Sequence, residues 1–436
     1  MLNQIKNLGR SIIPKALFKA LQPIYHGFMA LVASMVYGNP SQDLTVIGVT
    51  GTAGKSTTVI MLSHILNSSG FKTGYITTAG SFDGNNTITN TQGLSMPGGW
   101  MLQQSLHKFV SNGCKFAIIE ATSEGLTQNR HLGINFTGAL FTNLAPAHLD
   151  SHGSFENYRA AKGRLFASLI SDSFIGVNAD DANFQFFLNF PARRKFGTSV
   201  REDKIPQASI PIVRAEKIEV ADNLKFTVED QQFEINLKGS FNIANALLAI
   251  TAAQYLNIPL FKSSEALKTF GSVPGRMETI PNNLDITIII DYAPEPSAME
   301  QSLRAVSMLD HNKIIHVFGS TGGHRDVSKR FEFGKISSKF ADTIIITNDD
   351  VYDSDPEEIA KNITEGISRN TDNKKVSEVI TVLDRKEAMK KSLEIAQPGD
   401  VILITGKGNE QFLSLPGKIR IEWEDAKVMK ELLNTM

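Results

Sequence analysis

Cysteine is almost absent from this chain of 436 residues, which contains only Cys114. A single cysteine excludes an intrachain disulfide and any zinc site built from several thiolates. Cys114 precedes the apolar run at residues 116–119. We therefore expect it to be buried and inert, in a protein of the reducing cytoplasm.

Neither sign of charge dominates the sequence. It has 44 Lys and Arg against 45 Asp and Glu, for a net charge of −1. No overall positive field is present to attract nucleic acid, so we expect no nucleic-acid partner. We also see no internal repeat and no low-complexity segment, and we expect a monomer.

Acidic residues are missing altogether from residues 1–42. Four basic residues stand there among apolar residues at helical spacing: Lys6, Arg10, Lys15 and Lys19. The mostly apolar run 28–37 is too short to span a bilayer. We interpret residues 1–42 as a basic helical arm, interrupted at Pro14 and Pro23, that packs on the body of the protein. The alternative is an amphipathic helix that makes peripheral contact with a membrane.

The most informative segment is residues 46–58, Val-Ile-Gly-Val-Thr-Gly-Thr-Ala-Gly-Lys-Ser-Thr-Thr. An apolar run enters a glycine-rich turn before a helix, which aims backbone N–H groups at one spot and favours phosphate binding. Lys55 would reach the outer phosphates, and the Ser56 hydroxyl would hold Mg²⁺. The usual first glycine would be at position 49, where this chain has valine. The alternative interpretation is a strand–helix turn with a chance lysine.

Strand-like runs alternate with helical patterns from residue 43 onward. This alternation predicts an α/β fold: a central P-loop-type, doubly wound parallel sheet domain and a smaller C-terminal Rossmann-like domain. We place the boundaries at 1–42 for the arm, 43–273 for the central domain and 274–436 for the C-terminal domain. Residues 209–239 predict a small antiparallel patch, and residues 242–256 predict a helix.

Chemistry-bearing side chains follow two of the predicted strands. Glu120 ends one of them, where a carboxylate beside a phosphate loop is a common Mg²⁺ contact. The loop after another carries His148, Asp150 and His152, and Lys162 stands on the helix that follows. A lone histidine is more often structural, but two flanking an aspartate favour a binding site.

Together these motifs resemble the Mur ligase family, and most closely its MurE type. The motifs that carry the resemblance, in chain order, are Gly51-Thr-Ala-Gly-Lys-Ser-Thr, Thr142-Asn-Leu, His148-Leu-Asp-Ser-His-Gly, Ala-Ala-Lys162, Gly239-Ser-Phe-Asn-Ile-Ala-Asn245, Val273-Pro-Gly-Arg-Met-Glu, Asp291-Tyr-Ala, Gly-Gly-His-Arg325-Asp and Gly406-Lys-Gly-Asn-Glu410. The resemblance covers roughly residues 43–430. It implies an ATP-dependent ligase of peptidoglycan synthesis that joins an amino acid to a muramoyl-peptide carboxylate through an acyl phosphate.

The resemblance also implies roles for individual residues. ATP would be held by Gly51, Thr52, Ala53, Gly54, Lys55, Ser56, Thr57, Asn245, Arg276 and Asp291. Ser56 and Glu120 would bind one Mg²⁺, His148 would help to bind a second, and Lys162 matches a lysine that is carbamylated by CO₂. The residues matched to catalysis are Lys55, Glu120, His148 and Lys162.

On the substrate side the resemblance implies contacts from Asn90, Thr91, Ser123, Gln128, Arg130, Arg325, Asp349, Asp350, Gly406 and Glu410. Four positions depart from the family pattern: Gln92, Glu124, Pro294 and Asn409. Tyr352 replaces the arginine of an Asp-Asn-Pro-Arg motif that serves diaminopimelate, so we expect lysine or ornithine as the amino acid. Since 42 residues precede the nucleotide strand, we expect a UDP group to be bound loosely or to be absent, as in a lipid-linked substrate.

Three alternatives remain open at this point. Folylpolyglutamate synthase is a relative without the UDP domain, but its phosphate loop reads Lys-Gly-Ser where this chain has Lys-Ser-Thr-Thr. The ligase subunit that amidates lipid-linked stem peptides typically carries a four-cysteine zinc ribbon, which a single cysteine cannot build. A P-loop switch or a non-catalytic paralogue is the third, and the retained Lys55, Glu120, His148 and Lys162 argue against it.

Overall fold

The structure is a computed structural model, and it describes residues 15–90, 95–146, 152–201, 209–221, 223–323, 326–370 and 375–435. The described chain divides into two compact units. The first unit comprises Met1–Ile88, Leu94–Arg214 and Leu247–Ser263. The second unit comprises Thr89–Gly93, Ala215–Ala246 and Ser264–Met436. Each unit therefore draws on separated parts of the sequence. The predicted boundaries at 42 and 273 stay predictions.

The first unit is built on a nine-stranded sheet. Its strands are β1 (Thr45–Thr50), β2 (Thr73–Thr77), β3 (Gly80–Phe82), β4 (Thr87–Ile88), β5 (Phe116–Glu120), β6 (Phe136–Phe141), β7 (Leu169–Asn178), β8 (Arg194–Ser199) and β9 (Ile212–Arg214). They lie in the order β4-β3-β2-β5-β1-β6-β7-β8-β9. All pairs from β2 to β9 are parallel, and β3 and β4 form an antiparallel edge. The central strands are buried along nearly their whole length, which explains their continuous apolar sequences.

Helices alternate with these strands along the chain. They are α1 (Lys15–Val36), α2 (Lys55–Ser68), α3 (Gly99–Ser111), α4 (Ser123–Thr127), α5 (Phe155–Ala167) and α6 (Phe184–Leu188). The core contains aromatic side chains from several elements, among them Phe109, Phe136 and Phe187. Cys114 is buried just before β5, as expected, and burial raises the pKa of its thiol.

The second unit contains two larger sheets and a short ribbon. An antiparallel sheet has the order β10-β11-β12 and a six-stranded sheet has the order β13-β14-β18-β15-β16-β17. The strands are β10 (Glu216–Val220), β11 (Leu224–Val228), β12 (Gln231–Ile235), β13 (Glu278–Ile280), β14 (Thr287–Asp291), β15 (Ile314–Phe318), β16 (Thr343–Ile346), β17 (Glu378–Thr381), β18 (Val401–Thr405), and the ribbon β19 (Phe412–Leu415) with β20 (Ile419–Glu422). In the six-stranded sheet β13 is the antiparallel edge and the other neighbours are parallel.

The remaining helices follow in chain order. They are α7 (Phe241–Tyr255), α8 (Leu260–Lys268), α9 (Pro296–Val306), α10 (Ser328–Phe340), α11 (Pro356–Arg369), α12 (Arg385–Ile395) and α13 (Asp425–Leu433). The division between units falls within α7 and α8, so each of these helices contributes to both. The α/β fold class is confirmed, with parallel strands and intervening helices in both units.

Three local expectations need correction. The antiparallel patch begins at Glu216, because β9 instead extends the main sheet as a parallel neighbour of β8. The sequence did not predict β17. Three of its four residues are exposed, and only Ile380 is partly buried. Pro23 does not interrupt the arm helix: α1 runs through it. Packing of the residues after Pro23 outweighs the one missing N–H. No helix in the described ranges is both long and apolar enough to cross a membrane.

Candidate functional site

The phosphate loop has the backbone geometry that its glycines allow. It joins β1 to α2, and Gly54 is the N-terminal cap of α2 with φ +79°. Gly51 has φ +154°, and a Cβ there would overlap the Thr142 hydroxyl. Both positions therefore favour glycine over other residues. The N–H groups at the start of α2 and the positive end of its dipole suit an anion.

The strand next to the loop holds it in shape. The Ala53 N–H donates to the Asn143 side chain at 3.0 Å, and the Asn143 amide donates back to the Ala53 carbonyl at 3.1 Å. The Thr142 hydroxyl donates to the same carbonyl at 2.7 Å. Sequence reasoning gave these two residues no role, although both belong to the Thr142-Asn-Leu motif. They come directly after β6, the parallel neighbour of β1.

Three predicted nucleotide and metal residues meet at the loop. The Ser56 hydroxyl donates to the Glu120 carboxylate at 2.6 Å, and the Lys55 ammonium lies 3.9 Å from it. The Thr78 N–H and hydroxyl each donate to Glu120 at 3.0 Å, which fixes the carboxylate. Thr78 was missed because no motif marks the end of β2. The Ser56 and Glu120 oxygens are a donor set that fits Mg²⁺.

Lys162 lies in the same unit with its ammonium buried under the loop. Its Nζ donates to the Gly51 carbonyl at 2.7 Å and sits 4.3 Å from the centre of the Tyr158 ring. Burial, and then the neighbouring Lys55 charge, lower the pKa of Lys162 well below its ordinary value, and Glu120 opposes them. The side chain is only 2% exposed. A lowered pKa favours the neutral form of the amine, which is the nucleophilic form.

Predicted peptide-binding residues also come together around α4. Arg130 donates through Nε and Nη2 to the Gln128 side-chain oxygen at 3.0 and 2.7 Å. The Gln128 amide donates to Glu124, the residue that replaces the family's histidine. His152 contacts the Ser123 hydroxyl at 3.1 Å, so it lies beside this group of residues.

The second unit contains the other predicted nucleotide residues. Asp291 ends β14, is buried, and accepts hydrogen bonds from the Ser302 hydroxyl and from the N–H of Met277. Burial raises the pKa of Asp291, and these hydrogen bonds and Arg276 oppose the rise. The Arg276 guanidinium stacks 4.4 Å from the centre of the Tyr292 ring. Asn245 on α7 is buried, and its amide donates to Asn242 at 3.0 Å.

A buried lysine that sequence reasoning missed organises the predicted amino-acid residues. The Lys407 ammonium lies 2.5 Å from Glu410, 3.0 Å from Asp350 and 3.9 Å from Asp349. Burial raises the pKa of Asp349 and of Glu410, and Lys407 opposes both shifts. Gly406 has φ +113°, and a Cβ there would approach Asp349 to 2.6 Å. The motif Gly406-Lys-Gly-Asn-Glu410 had predicted substrate contacts from its first and last residues, Gly406 and Glu410, but had assigned no role to Lys407.

Three predicted site residues, Thr91, His148 and Arg325, lie outside the described ranges. Asn90 follows β4 and is half-buried. No group of three or more His, Cys, Asp and Glu side chains able to hold a metal occurs among the residues that the structure describes.

This arrangement defines a class of protein: an α/β nucleotide-binding protein whose phosphate loop faces a carboxylate at the tip of the neighbouring strand β5. Comparison with known families gives the narrower assignment. Residues 49–253 match the Mur ligase middle domain, and residues 275–408 match the Mur ligase glutamate ligase domain. The chain belongs to the Mur ligase family.

Individual relatives agree with this assignment. The chain is 34% identical over 413 residues to the UDP-N-acetylmuramoyl-L-alanyl-D-glutamate–2,6-diaminopimelate ligase of Clostridioides difficile, covering 94% of this chain and 82% of that protein. A solved structure of a ligase of the same name is 27% identical, with a TM-score of 0.59, covering 90% of this chain and 78% of that one. The sequence resemblance to the MurE type is confirmed, and the chain is an ATP-dependent amide ligase of peptidoglycan synthesis.

The rival interpretation shares the fold only. The folylpolyglutamate synthase of Mycobacterium tuberculosis, solved with ADP and AMPPCP, matches with a TM-score of 0.68 and covers 87% of this chain and 92% of that one. Its sequence identity is 15%, which is evidence of a common fold and not of a common substrate.

Proposed function

We propose that this ligase uses ATP and Mg²⁺ to join an amino acid to the carboxylate of a muramoyl peptide. The observation that carries the proposal is that one compact unit holds both the phosphate loop with Glu120 and Lys162, and the predicted peptide-binding residues Ser123, Gln128 and Arg130 on and beside α4. Relatives such as the Clostridioides difficile enzyme are named for a UDP-linked muramoyl dipeptide and 2,6-diaminopimelate.

The chemistry needs activation because a carboxylate is a poor electrophile. A carboxylate oxygen of the peptide attacks the γ-phosphorus of ATP, and ADP leaves. The amine of the amino acid then attacks the carbonyl carbon of the acyl phosphate, phosphate leaves, and the nitrogen loses a proton. Lys55 and the N–H groups at the start of α2 are placed to stabilise charge on the transferring phosphoryl group.

Two residues offer oxygen ligands for the cation. Ser56 and Glu120 would hold Mg²⁺, which when bound offsets the negative charge of the phosphates. The neutral Lys162 amine is suited to attack CO₂ and lose a proton, leaving a carbamate anion. The positive charge of Lys55, which lies close enough to lower the pKa of Lys162, favours an anion at this position. His148, outside the described ranges, stays a proposed ligand.

Lysine or ornithine is our proposal for the amino acid. Tyr352 replaces the arginine that would pair with a distal carboxylate, and its hydroxyl lies 3.3 Å from Asp350. Lys407 offsets one of the three carboxylates around it, so the cluster keeps a negative excess that favours a distal ammonium group. Asp355, an acidic residue a few positions further along the sequence, caps α11 by accepting a hydrogen bond from the Glu357 N–H.

The proposal is tested by measuring ADP release with each substrate omitted in turn. We expect release only when ATP, Mg²⁺, a muramoyl dipeptide and an amino acid are all present. UDP-linked and lipid-linked dipeptides are compared as acceptors, and a folate acceptor with glutamate serves as the control for the rival. ADP release with the folate pair, or release that needs no acceptor, would contradict the proposal.

A further inference from the structure

From Leu21 onward, helix α1 presents small residues to the protein and large apolar residues to solvent. Gly27, Ala30, Ala33 and Ser34 are buried. A Cβ at Gly27 would lie 3.1 Å from Leu132, and Gly99 of α3 leaves no room for a Cβ beside Ala30. An ordinary surface helix has the opposite arrangement, with its large apolar side chains against the core.

The solvent face of α1 is apolar along most of its length. We call these residues the outer stripe: Leu21, Ile24, Tyr25, Phe28, Leu31, Met35 and Val36. Each is between 44% and 68% exposed. Their spacing of three and four residues places them on one side of the helix. Exposed apolar patches larger than a few hundred Å² usually mark an interaction surface.

Contacts with the body keep α1 in this orientation. The Ser34 hydroxyl donates to the Gly133 carbonyl at 3.0 Å, and the Asn129 amide donates to the Pro23 carbonyl at 3.3 Å. Rotating the helix to bury the outer stripe would break these bonds and drive large side chains against Gly99 and Gly133, which tolerate none. The stripe is therefore a fixed surface, and the helix can offer it to a flat partner lying alongside.

Charge indicates which partner. The first 42 residues carry Lys6, Arg10, Lys15 and Lys19 and no acidic residue, and no charged residue at all occurs from 21 to 42. On the body, the exposed Arg164 guanidinium donates to the Asn129 side chain at 3.2 Å, beside the Pro23 contact. The other acceptors of Arg164, the Leu126 and Thr127 carbonyls, are also neutral and leave its charge in place.

Aromatic side chains complete the pattern. The Trp100 ring packs edge-on against Tyr37 at 5.9 Å, just beyond the end of the outer stripe, and is 36% exposed. Tyr25 and Phe28 lie within the stripe. The amphipathic rings of Trp100, Tyr37 and Tyr25 are of the kind favoured at the boundary between lipid headgroups and acyl chains.

We propose that the outer stripe rests on an anionic phospholipid surface, with α1 parallel to the membrane plane. The excess of basic residues in the first 42 residues of the sequence and the exposed Arg164 supply the positive charge that attracts such a surface. A lipid surface offers both an apolar layer and negative charge. A second copy of the chain would match the apolar stripe, but its own arm has no acidic group to pair with the basic residues. This proposal does not depend on the choice of amino acid or acceptor.

Flotation of the full chain with vesicles tests the proposal. Vesicles of phosphatidylcholine alone are compared with vesicles that also contain phosphatidylglycerol. We expect binding to the anionic vesicles that weakens with added salt. The double variant Ile24→Gln with Phe28→Gln should bind the anionic vesicles with an affinity at least about tenfold lower, since it removes apolar area from the stripe. Because both side chains are exposed, circular dichroism and ADP release should stay as in the parent.

Phe261→Gln is the matched control, since Phe261 is an exposed phenylalanine of α8, 51% accessible, outside the stripe. It should bind vesicles like the parent. A second readout places tryptophan at either site: brominated lipid should quench Phe28→Trp more than Phe261→Trp. Equal binding by the stripe variant and the parent, or no binding by the parent, would overturn the proposal. So would sedimentation showing a dimer that the stripe variant abolishes, since a second copy would then occupy the surface.

Discussion

Glu120 shows how single residues build the candidate site. Its carboxylate accepts hydrogen bonds from Ser56 and Thr78 and lies 3.9 Å from the Lys55 ammonium. Because the side chain is 3% exposed, each of these partners offsets the loss of hydration of a buried charge. The same contacts hold the carboxylate near the N-terminus of α2. A Mg²⁺ ion held there would lie beside the phosphates.

Replacing Lys55 with alanine should abolish ligation and leave the fold intact. Its ammonium donates to the Thr52 carbonyl at 2.9 Å and lies 3.9 Å from Glu120, so its loss removes positive charge at the phosphate loop and with it transition-state stabilisation. We expect ADP release to fall by at least about 100-fold. Thermal unfolding should be near that of the parent, and the exposed Lys115→Ala serves as the control. Near-parent turnover in the Lys55 variant would contradict the phosphate-loop assignment.

Lys162 is expected to act as a carbamate. Lys162→Ala should lose most activity, and acetate or formate should restore part of it by supplying the missing carboxylate oxygens. Lys162→Arg separates this role from that of a buried cation, because it keeps the charge and cannot be carbamylated. It should be inactive and unresponsive to acetate. Labelling with ¹³CO₂ should give a carbamate signal in the parent alone. An active Lys162→Arg variant would rule the carbamate out.

At the scale of elements, one buried ion pair connects two helices to the sheet of the second unit. Arg385 at the start of α12 donates to both carboxylate oxygens of Asp425 at the start of α13, at 2.8 and 2.7 Å. It also donates to the carbonyl of Thr405, the last residue of β18. Both side chains are fully buried. This is a bidentate arginine–carboxylate contact, in which two parallel hydrogen bonds fix the relative orientation of the two groups.

Asp425→Asn should destabilise this unit strongly. It leaves the buried Arg385 charge without its counter-ion, which costs about 3–5 kcal/mol in comparable buried pairs. Urea unfolding monitored by circular dichroism measures the change. Glu431→Gln, an exposed change on the same helix α13, is the control and should have little effect. A loss no larger than that of the control would show that the pair contributes little to stability.

At the scale of the whole molecule, the two units divide the candidate chemistry between them. The phosphate loop, Glu120 and Lys162 lie in the first unit, while Arg276, Asp291 and the Lys407 cluster lie in the second. Asp349, Asp350 and Lys407 of this cluster lie in the part of the chain that matches the glutamate ligase domain, and Glu410 follows just after it. Amino-acid selection is therefore expected to depend on the second unit.

Side-by-side ligation assays with lysine, ornithine, alanine and meso-diaminopimelate test this selection. We expect lysine or ornithine to be preferred, because Tyr352 offers no guanidinium to a distal carboxylate. Tyr352→Arg should shift the preference toward meso-diaminopimelate, while Tyr352→Phe should leave it with the basic amino acids. A clear preference of the parent for meso-diaminopimelate would show that the argument from Tyr352 is wrong.

Features that depend on residues close together along the chain could be predicted from the sequence. Apolar runs predicted the central strands, because strands buried on both faces need continuous apolar residues. Gly51 and Gly54 marked the phosphate loop because its backbone angles favour glycine. Glu120 was placed at the end of its strand, and the ordered motifs indicated the family.

Contacts between residues far apart in sequence could be identified only from the folded structure. Asn143 supports the loop across about 90 residues of chain, and Lys407, in the loop after β18, meets Asp349 and Asp350 from the loop after β16. The outward direction of the apolar stripe on α1 was also hidden, since periodicity shows that a helix has two faces and not which one meets the body. Packing against Gly99 and Gly133 chose the small face, because only small side chains fit there.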